Sequence, residues 1–447
     1  MLKEKKGGAR RELSAKPVGK ILKFLSSMQL GIILLLLLAA ISVLATLREH
    51  DAAIQSIYRS WWYLGVMAFT ALNLLLCTVR RIKPLTRQAL YPQKEQSAEA
   101  IAKMPVRETV VLAKSKPAEK VISLVANAFR RRGLKAEIIT GAQGKIVFAQ
   151  KDVCGYFGSL LTHTGLLIIL LGAMYGALTG FERQGGGIVG DRISVPEGNF
   201  AIRIMDMWVE HEEDPTVRPR VYSDVSVTEG GREIAGGVIA INQPLRFGGN
   251  TIYHTTFRYV SEIAVRNTST GETSMYRVWD RDYLPLEKDG IHIHFLAFFP
   301  NFITNEEGVP SSQNYLPENP VLAGILYDDK EKPQSHVYLA LNEPVTFSVA
   351  GGELEVTLTG FQHAVVYTIT RNLGRPILVA GALMFILGLY LSFFQQPRRF
   401  WAVYDQKQAA VLVGGRSYRS RFQLEQELLQ LVNEITRREE EEHGRIS

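Results

Sequence analysis

The hydrophobic positions of this chain come in two patterns. In four stretches, 24–46, 61–79, 157–180 and 376–395, apolar residues run almost unbroken, with no Asp, Glu, Lys or Arg among them. A helix rising 1.5 Å per residue needs about 20 such residues to cross a bilayer core, so each stretch predicts a transmembrane helix. From 181 to 375 the pattern changes to short segments rich in β-branched and aromatic residues, separated by glycine-containing turn signals. These predict an all-β domain, either a sandwich or a long antiparallel sheet. The expected strands include Phe200–Val209, Val221–Val227, Gly237–Ile241, Asn250–Phe257, Glu262–Asn267, Ser274–Val278, Ile291–Phe299, His336–Leu341 and Leu354–Gly360. Between the second and third spans, residues 84–156 read as a strand, an amphipathic helix at Ala118–Arg132 and two strands at Lys135–Ile139 and Gly144–Gln150.

Charge gives these elements an orientation. The net charge of +7 invites a nucleic-acid reading, but its placement argues against one. Lys3, Lys5, Lys6, Arg10, Arg11, Lys16, Lys20 and Lys23 precede the first span, Arg80, Arg81 and Lys83 follow the second, and Arg398 and Arg399 follow the fourth. This is the positive-inside pattern of a protein held in membrane lipid. It places a basic N-terminus (1–23), an α+β module (80–156) and a tail with a charged helix (396–447) in the cytoplasm. The β domain (181–375) then lies outside. The first apolar run is too long for a signal-peptide core, and no small-x-small cleavage site follows it. The fold class expected is therefore an integral membrane protein with four transmembrane α-helices, a large extracytoplasmic all-β domain and a small cytoplasmic α+β module. Its two cysteines, Cys77 and Cys154, stand at cytoplasmic helix ends with no CxxC, which excludes a disulfide framework, a zinc site and a dithiol centre.

The candidate chemistry sits in the third span, GSLLTHTGLLIILLGAMYGALTG, which carries one histidine, His163. An ionisable side chain in such a helix is costly and marks a functional site by default. Gly158, Thr162, Gly165, Gly172, Gly176 and Gly180 fall on one helical stripe suited to close helix packing. His163 lies roughly 140° around, on a face with Ser159, Leu160, Leu167, Leu170 and Met174. The small face is expected to pack within the chain and the histidine to face a ligand or a second membrane protein. The alternative is an imidazole bonded to a neighbouring helix's hydroxyl or carbonyl. Asn73, polar within the second span, is expected to bond to a neighbouring helix. In the β domain His292 and His294 share one strand face as a metal pair would, but no nearby Cys or carboxylate completes a set. His254 reads as a core or surface residue. No catalytic residue is assigned.

The order of SSMQLGIILLLLLAAISVLAT, IYRSWWYLGVMAFTALNLLLCTVRR, GSLLTHTGLLIILLGAMYGALTG, INQPLRFGGNTIYHTTF and GRPILVAGALMFILGLYLSFFQQPRRFWA resembles the ResB (CcsB) family of system II cytochrome c biogenesis over about residues 20–400. The resemblance implies a complex with a ResC/CcsA-type membrane protein. That complex carries haem across the membrane and supports its covalent attachment to apocytochrome c. It also implies that His163 is an axial ligand of a transient haem b shared with the partner subunit. The chain departs from the family pattern at Arg371–Gly374 and at His254. Neutral imidazole suits haem iron, and an apolar shell tunes its potential. No other span holds a histidine, and Met174 is too far along the same helix to reach the opposite side of one iron, so a second axial ligand requires another chain. Attachment then belongs to the complex, and this chain alone is not read as an enzyme. The competing reading is a membrane scaffold or sensor with an external β domain and no haem contact.

Overall fold

The computed structural model describes residues 16–47, 57–112, 116–141, 144–286, 290–306, 308–349, 352–418 and 420–444. The basic residues Lys3 to Arg11 and most of the loop after the first span lie outside them. The chain divides into two compact units, Met1–Leu178 with Gly374–Ser447, and Thr179–Leu373.

The first unit holds eight described α-helices: α1 (Lys16–Leu25), α2 (Met28–Thr46), α3 (Trp61–Leu90), α4 (Ala98–Ala102), α5 (Ala118–Arg131), α6 (Gly158–Thr179), α7 (Arg375–Phe394) and α8 (Arg421–Gly444). Four helical segments are long and apolar enough to cross a membrane: Met28–Thr46, Trp61–Leu90, Val153–Thr179 and Arg375–Phe394. Two differ from the sequence pattern. The first span is broken rather than continuous. Ser27 leaves the helical conformation and caps α2, its hydroxyl accepting from the Leu30 N–H at 3.0 Å. Helix α3 reaches the break, where the Asn73 Nδ2 donates to the freed Leu25 oxygen at 2.6 Å and, at 3.2 Å, to the Ser27 oxygen, which also accepts the Gly31 N–H. Cys77 one turn on donates to the Ser26 oxygen, and Arg80 donates to the Ser26 hydroxyl. Asn73, Cys77 and Arg80 stand at i, i+4 and i+7, one face of a helix. The second difference is that α3 continues through Pro84 to Leu90, where Leu85 and Ala89 bury against Tyr156.

Residues 84–156 and the tail are not separate. Their strands form one antiparallel sheet in the order Val106–Val111, Ala410–Ser417, Arg398–Asp405, Gly144–Lys151, Lys135–Gly141. Helix α5 lays Val121, Ile122, Val125 and Phe129 on one face, and α8 lays Leu424, Leu428, Leu431 and Ile435 on the same face. The other face, with Ile146, Phe148 and Trp401, is covered by Ile101 of α4 and by Met104. A sheet buried on both faces loses its alternation, so the two tail strands carry no period-two pattern in the sequence.

Among the described residues the second unit is all β apart from a single 3-10 turn at Pro196–Gly198. Its spine is the antiparallel pair Asn250–Asn267 and Gly352–Arg371, bulged between His254 and Thr256 and between Glu262 and Ile263. Two of the expected strands are thus one, and Leu354–Gly360 is the first half of another. Beside the spine stand Thr273–Trp279, Pro344–Val349, Phe181–Gly187 and Leu245–Phe247. Two four-stranded sheets accompany it, one built on Phe200–Glu210 and Arg220–Glu229, the other on Ile291–Phe299 and Val321–Asp328. One continuous core, including Ile204, Val225, Ile252, Phe295, Val356 and Tyr367, draws on all three sheets.

Candidate functional site

Helix α6 is fixed first by its small stripe. Gly158, Gly165 and Gly172 recur every seven residues, and so do Gly374, Gly381 and Gly388 at and within α7. The two helices run antiparallel with these residues face to face. A Cβ placed on Gly165 would stand 2.5 Å from the Phe385 nitrogen and 2.8 Å from the Gly381 oxygen. One on Gly381 would stand 2.8 Å from the Ile169 nitrogen. Without side chains between them the backbones approach closely, and van der Waals contact replaces the hydrophobic drive that lipid removes. The stripe packs within the chain, as its spacing predicts.

The opposite face differs from expectation. Leu166, Leu167, Leu170, Ala173 and Met174 pack against Leu38 of α2 and Tyr63, Met67, Ala71 and Leu74 of α3. Most of the face that carries His163 is therefore covered inside the chain. Toward the start of α6, Phe157 and Leu160 pack with Leu85 and Ala89 at the far end of α3. His163 lies between these two apolar clusters. It is half-buried, and its Nδ1 is buried with no hydrogen-bond partner among the described residues. No described hydroxyl or carbonyl takes that nitrogen. A buried polar atom left unpaired is costly, and nothing among the described residues offsets that cost. That donor set fits an axial haem ligand: one imidazole in apolar surroundings with one ring nitrogen uncommitted.

The histidines of the β unit play other parts. His292 stacks on Tyr327 at 5.2 Å and His294 on Tyr283 at 4.2 Å between centroids. Among the described residues no group of three or more His, Cys, Asp or Glu side chains is placed to hold a metal. His254 is buried at the bulge, edge-on to Tyr367, with neither ring nitrogen paired. Burial, aided by the Arg218 charge, lowers its pKa from the ordinary histidine value. His363, tilted against Tyr259 at 4.9 Å, is pushed down to about 4, chiefly by burial and further by His211. Both are therefore neutral near pH 7. Among the β-unit groups with unpaired buried atoms, His254, Tyr259 and His363 carry no sequence motif. They lie on two strands that meet only through the register pairing His254 with Tyr367 and Tyr259 with His363.

The profile of the ResB-like family matches residues 49–429. The chain belongs to the ResB-like family. Among its relatives, the cytochrome c biogenesis protein CcsB of Crocosphaera subtropica is 23% identical over 93% of this chain and 94% of that one. The cytochrome c biogenesis protein ResB of Bacillus subtilis is 24% identical over 94% and 89%. The solved structure of the cytochrome c haem lyase CcmF is similar at a TM-score of 0.22 and 12% identity, over 88% of this chain and 36% of that one. The chain thus spans about a third of that protein, and so weak a likeness supports no shared fold.

Proposed function

We propose that this ResB-like chain is a membrane subunit of a cytochrome c biogenesis complex that carries haem across the membrane and supports its attachment to apocytochrome c. In this reading His163 supplies one axial ligand of a transient haem b. The observation that carries it is the buried, unpaired Nδ1 of a lone histidine in an apolar helix. Haem supplies the iron to be ligated and the vinyl groups to be linked. The chain supplies a fixed imidazole: the glycine contacts lock α6 against α7, and the cluster around Leu170 locks it against α3. A rigid helix holds a ligand better than a loop does. One histidine fills one axial position, so a ResC/CcsA-type partner provides the other.

The proposed arrangement puts the five-stranded antiparallel sheet and both termini on the cytoplasmic side and residues 181–375 outside, in the inner membrane of a bacterium. Arg80 and Arg81, with Arg398 and Arg399, support it. So does the sheet, which joins strands from before α6 and after α7, segments that two crossings return to one side.

The test is the absorption spectrum of the full complex purified with its ResC-type partner. His163→Gly and His163→Ala are expected to lose a low-spin haem signal that added imidazole restores in the glycine variant. An unchanged spectrum in an intact complex would remove the ligand assignment and leave a scaffold whose haem contacts belong to the partner.

A further inference from the structure

The β unit contains a cavity of about 460 Å³ lined by Arg218, Thr256, Phe257, Arg258, Tyr259, Asp280, Arg281, Ala297, Phe298 and Tyr315. None of these residues has a part in the intramembrane site. The lining falls into two chemistries. One is flat and apolar: Tyr259 lies against Phe298 at 4.5 Å between centroids, Phe257 stands edge-on to Tyr259, and Tyr315 is held in place by its N–H, which donates to the Pro215 oxygen. The other is cationic. Asp280 is the sole carboxylate of the lining, and Arg258 takes it at 2.8 Å. Arg218 lies over the Phe257 ring at 4.5 Å and donates to the Thr256 hydroxyl and the Phe257 oxygen through Nη2 alone. Neither Arg218 nor Arg281 has a carboxylate partner among the described residues. The Tyr259 side chain is only 7% exposed, and its hydroxyl is buried without a partner.

We propose that this cavity binds a carboxylate borne on a flat apolar body, with Arg218, Arg281 and the Tyr259 hydroxyl toward the carboxylate and Phe257, Phe298 and Tyr315 against the ring. Each requirement answers an observation. Two guanidiniums without counter-ions favour an anion, and the planar fork of arginine matches carboxylate geometry. A buried hydroxyl without a partner gains a bond when an acceptor enters. Burial pushes Tyr259 up to about 12, so it remains a donor. The aromatic walls favour a ring over an alkyl chain, and the volume is that of small-molecule sites. The anion can be a free aryl acid or the end of a peptide closed by an aromatic residue.

The test uses the full chain in nanodiscs and equilibrium dialysis against 2-naphthoate, with empty nanodiscs as blank and 2-naphthamide as the uncharged isostere. N-acetyl-Gly-Phe competes with naphthoate in a second arm, and the tighter of the two identifies the source of the carboxylate. Saturable binding of naphthoate is expected, with the amide weaker by about tenfold or more, as for loss of a charge-assisted contact. Arg281→Gln, on an exposed side chain, and Tyr259→Phe, which keeps the ring, are each expected to weaken naphthoate about tenfold with the far-ultraviolet circular dichroism unchanged. Equal binding of acid and amide, no saturable binding by the wild type, or unaltered affinity in both folded variants would overturn the proposal.

Discussion

Replacing Gly165 by alanine should separate two helices that nothing else in the sequence marks as partners. The new Cβ would sit 2.5 Å from the Phe385 nitrogen, 2.7 Å from its Cα and 2.8 Å from the Gly381 oxygen. All three are backbone atoms, so no rotamer change relieves the contact. Ordinary carbon contacts settle near 3.5–4.0 Å, so α6 and α7 must move apart by about 1 Å, a gap that forfeits a quarter to a half of each pairwise attraction. Overpacking of this kind costs about 1–3 kcal/mol, and the absence of a yielding side chain argues for the upper end. Alanine recovers about 1 kcal/mol of helix propensity, leaving a net loss of about 2 kcal/mol. Gly65 of α3 is the control, because nothing lies within 4 Å of its would-be Cβ and only the propensity gain applies. The intermediate case is Gly172, whose Cβ would meet the Ile377 side chain at 3.0 Å and the Leu378 nitrogen at 3.1 Å, looser contacts than those at Gly165. Unfolding in mixed micelles titrated with sodium dodecyl sulfate measures all three. The expected order of stability is Gly65→Ala, then wild type, then Gly172→Ala, then Gly165→Ala. If Gly165→Ala unfolds with Gly65→Ala, the glycine stripe is not a packing interface and the argument that it holds His163 in place is refuted.

Asn73→Leu should destabilise the α1–α2 break by about 1 kcal/mol, the usual scale for an interhelical hydrogen bond in lipid, because the Leu25 carbonyl loses its donor and the Ser27 carbonyl keeps only the Gly31 N–H. The same micelle titration reads it, and a leucine variant as stable as wild type would show that those carbonyls find other partners. The β unit should weaken in acid. His363 sits near 4 when folded and near 6.5 when unfolded, so the unfolded chain binds more protons between those values. The stability is fully present above about 6.5 and falls as pH drops toward 4, by on the order of 3 kcal/mol. His254, shifted the same way, adds to the slope. Thermal unfolding of the full chain from pH 7 to 4 checks this, with His363→Gln expected to flatten the dependence and an unchanged slope counting against it.

The sequence alone determined what its local patterns could carry. Unbroken apolar runs fixed the four helices, because lipid demands about 20 apolar residues wherever a helix crosses. Seven-residue glycine spacing fixed which face of α6 would pack, because small side chains at that period admit another backbone. A histidine in such a run stood out for the cost of placing it there. What only the tertiary structure decided depends on residues far apart in the chain. That 84–156 and the tail share one sheet is invisible locally, since strands such as Arg398–Asp405, buried on both faces, show no alternation. That the first span breaks at Ser26 and Ser27 depends on Asn73, 48 residues beyond Leu25, reaching its carbonyl. That Leu167 and Leu170 face α3, leaving His163 between two apolar clusters, follows from three helices closing together. And Arg218, Tyr259, Arg281 and Phe298, two on strands and two between strands, line one cavity only in the folded unit, which no single stretch of sequence records.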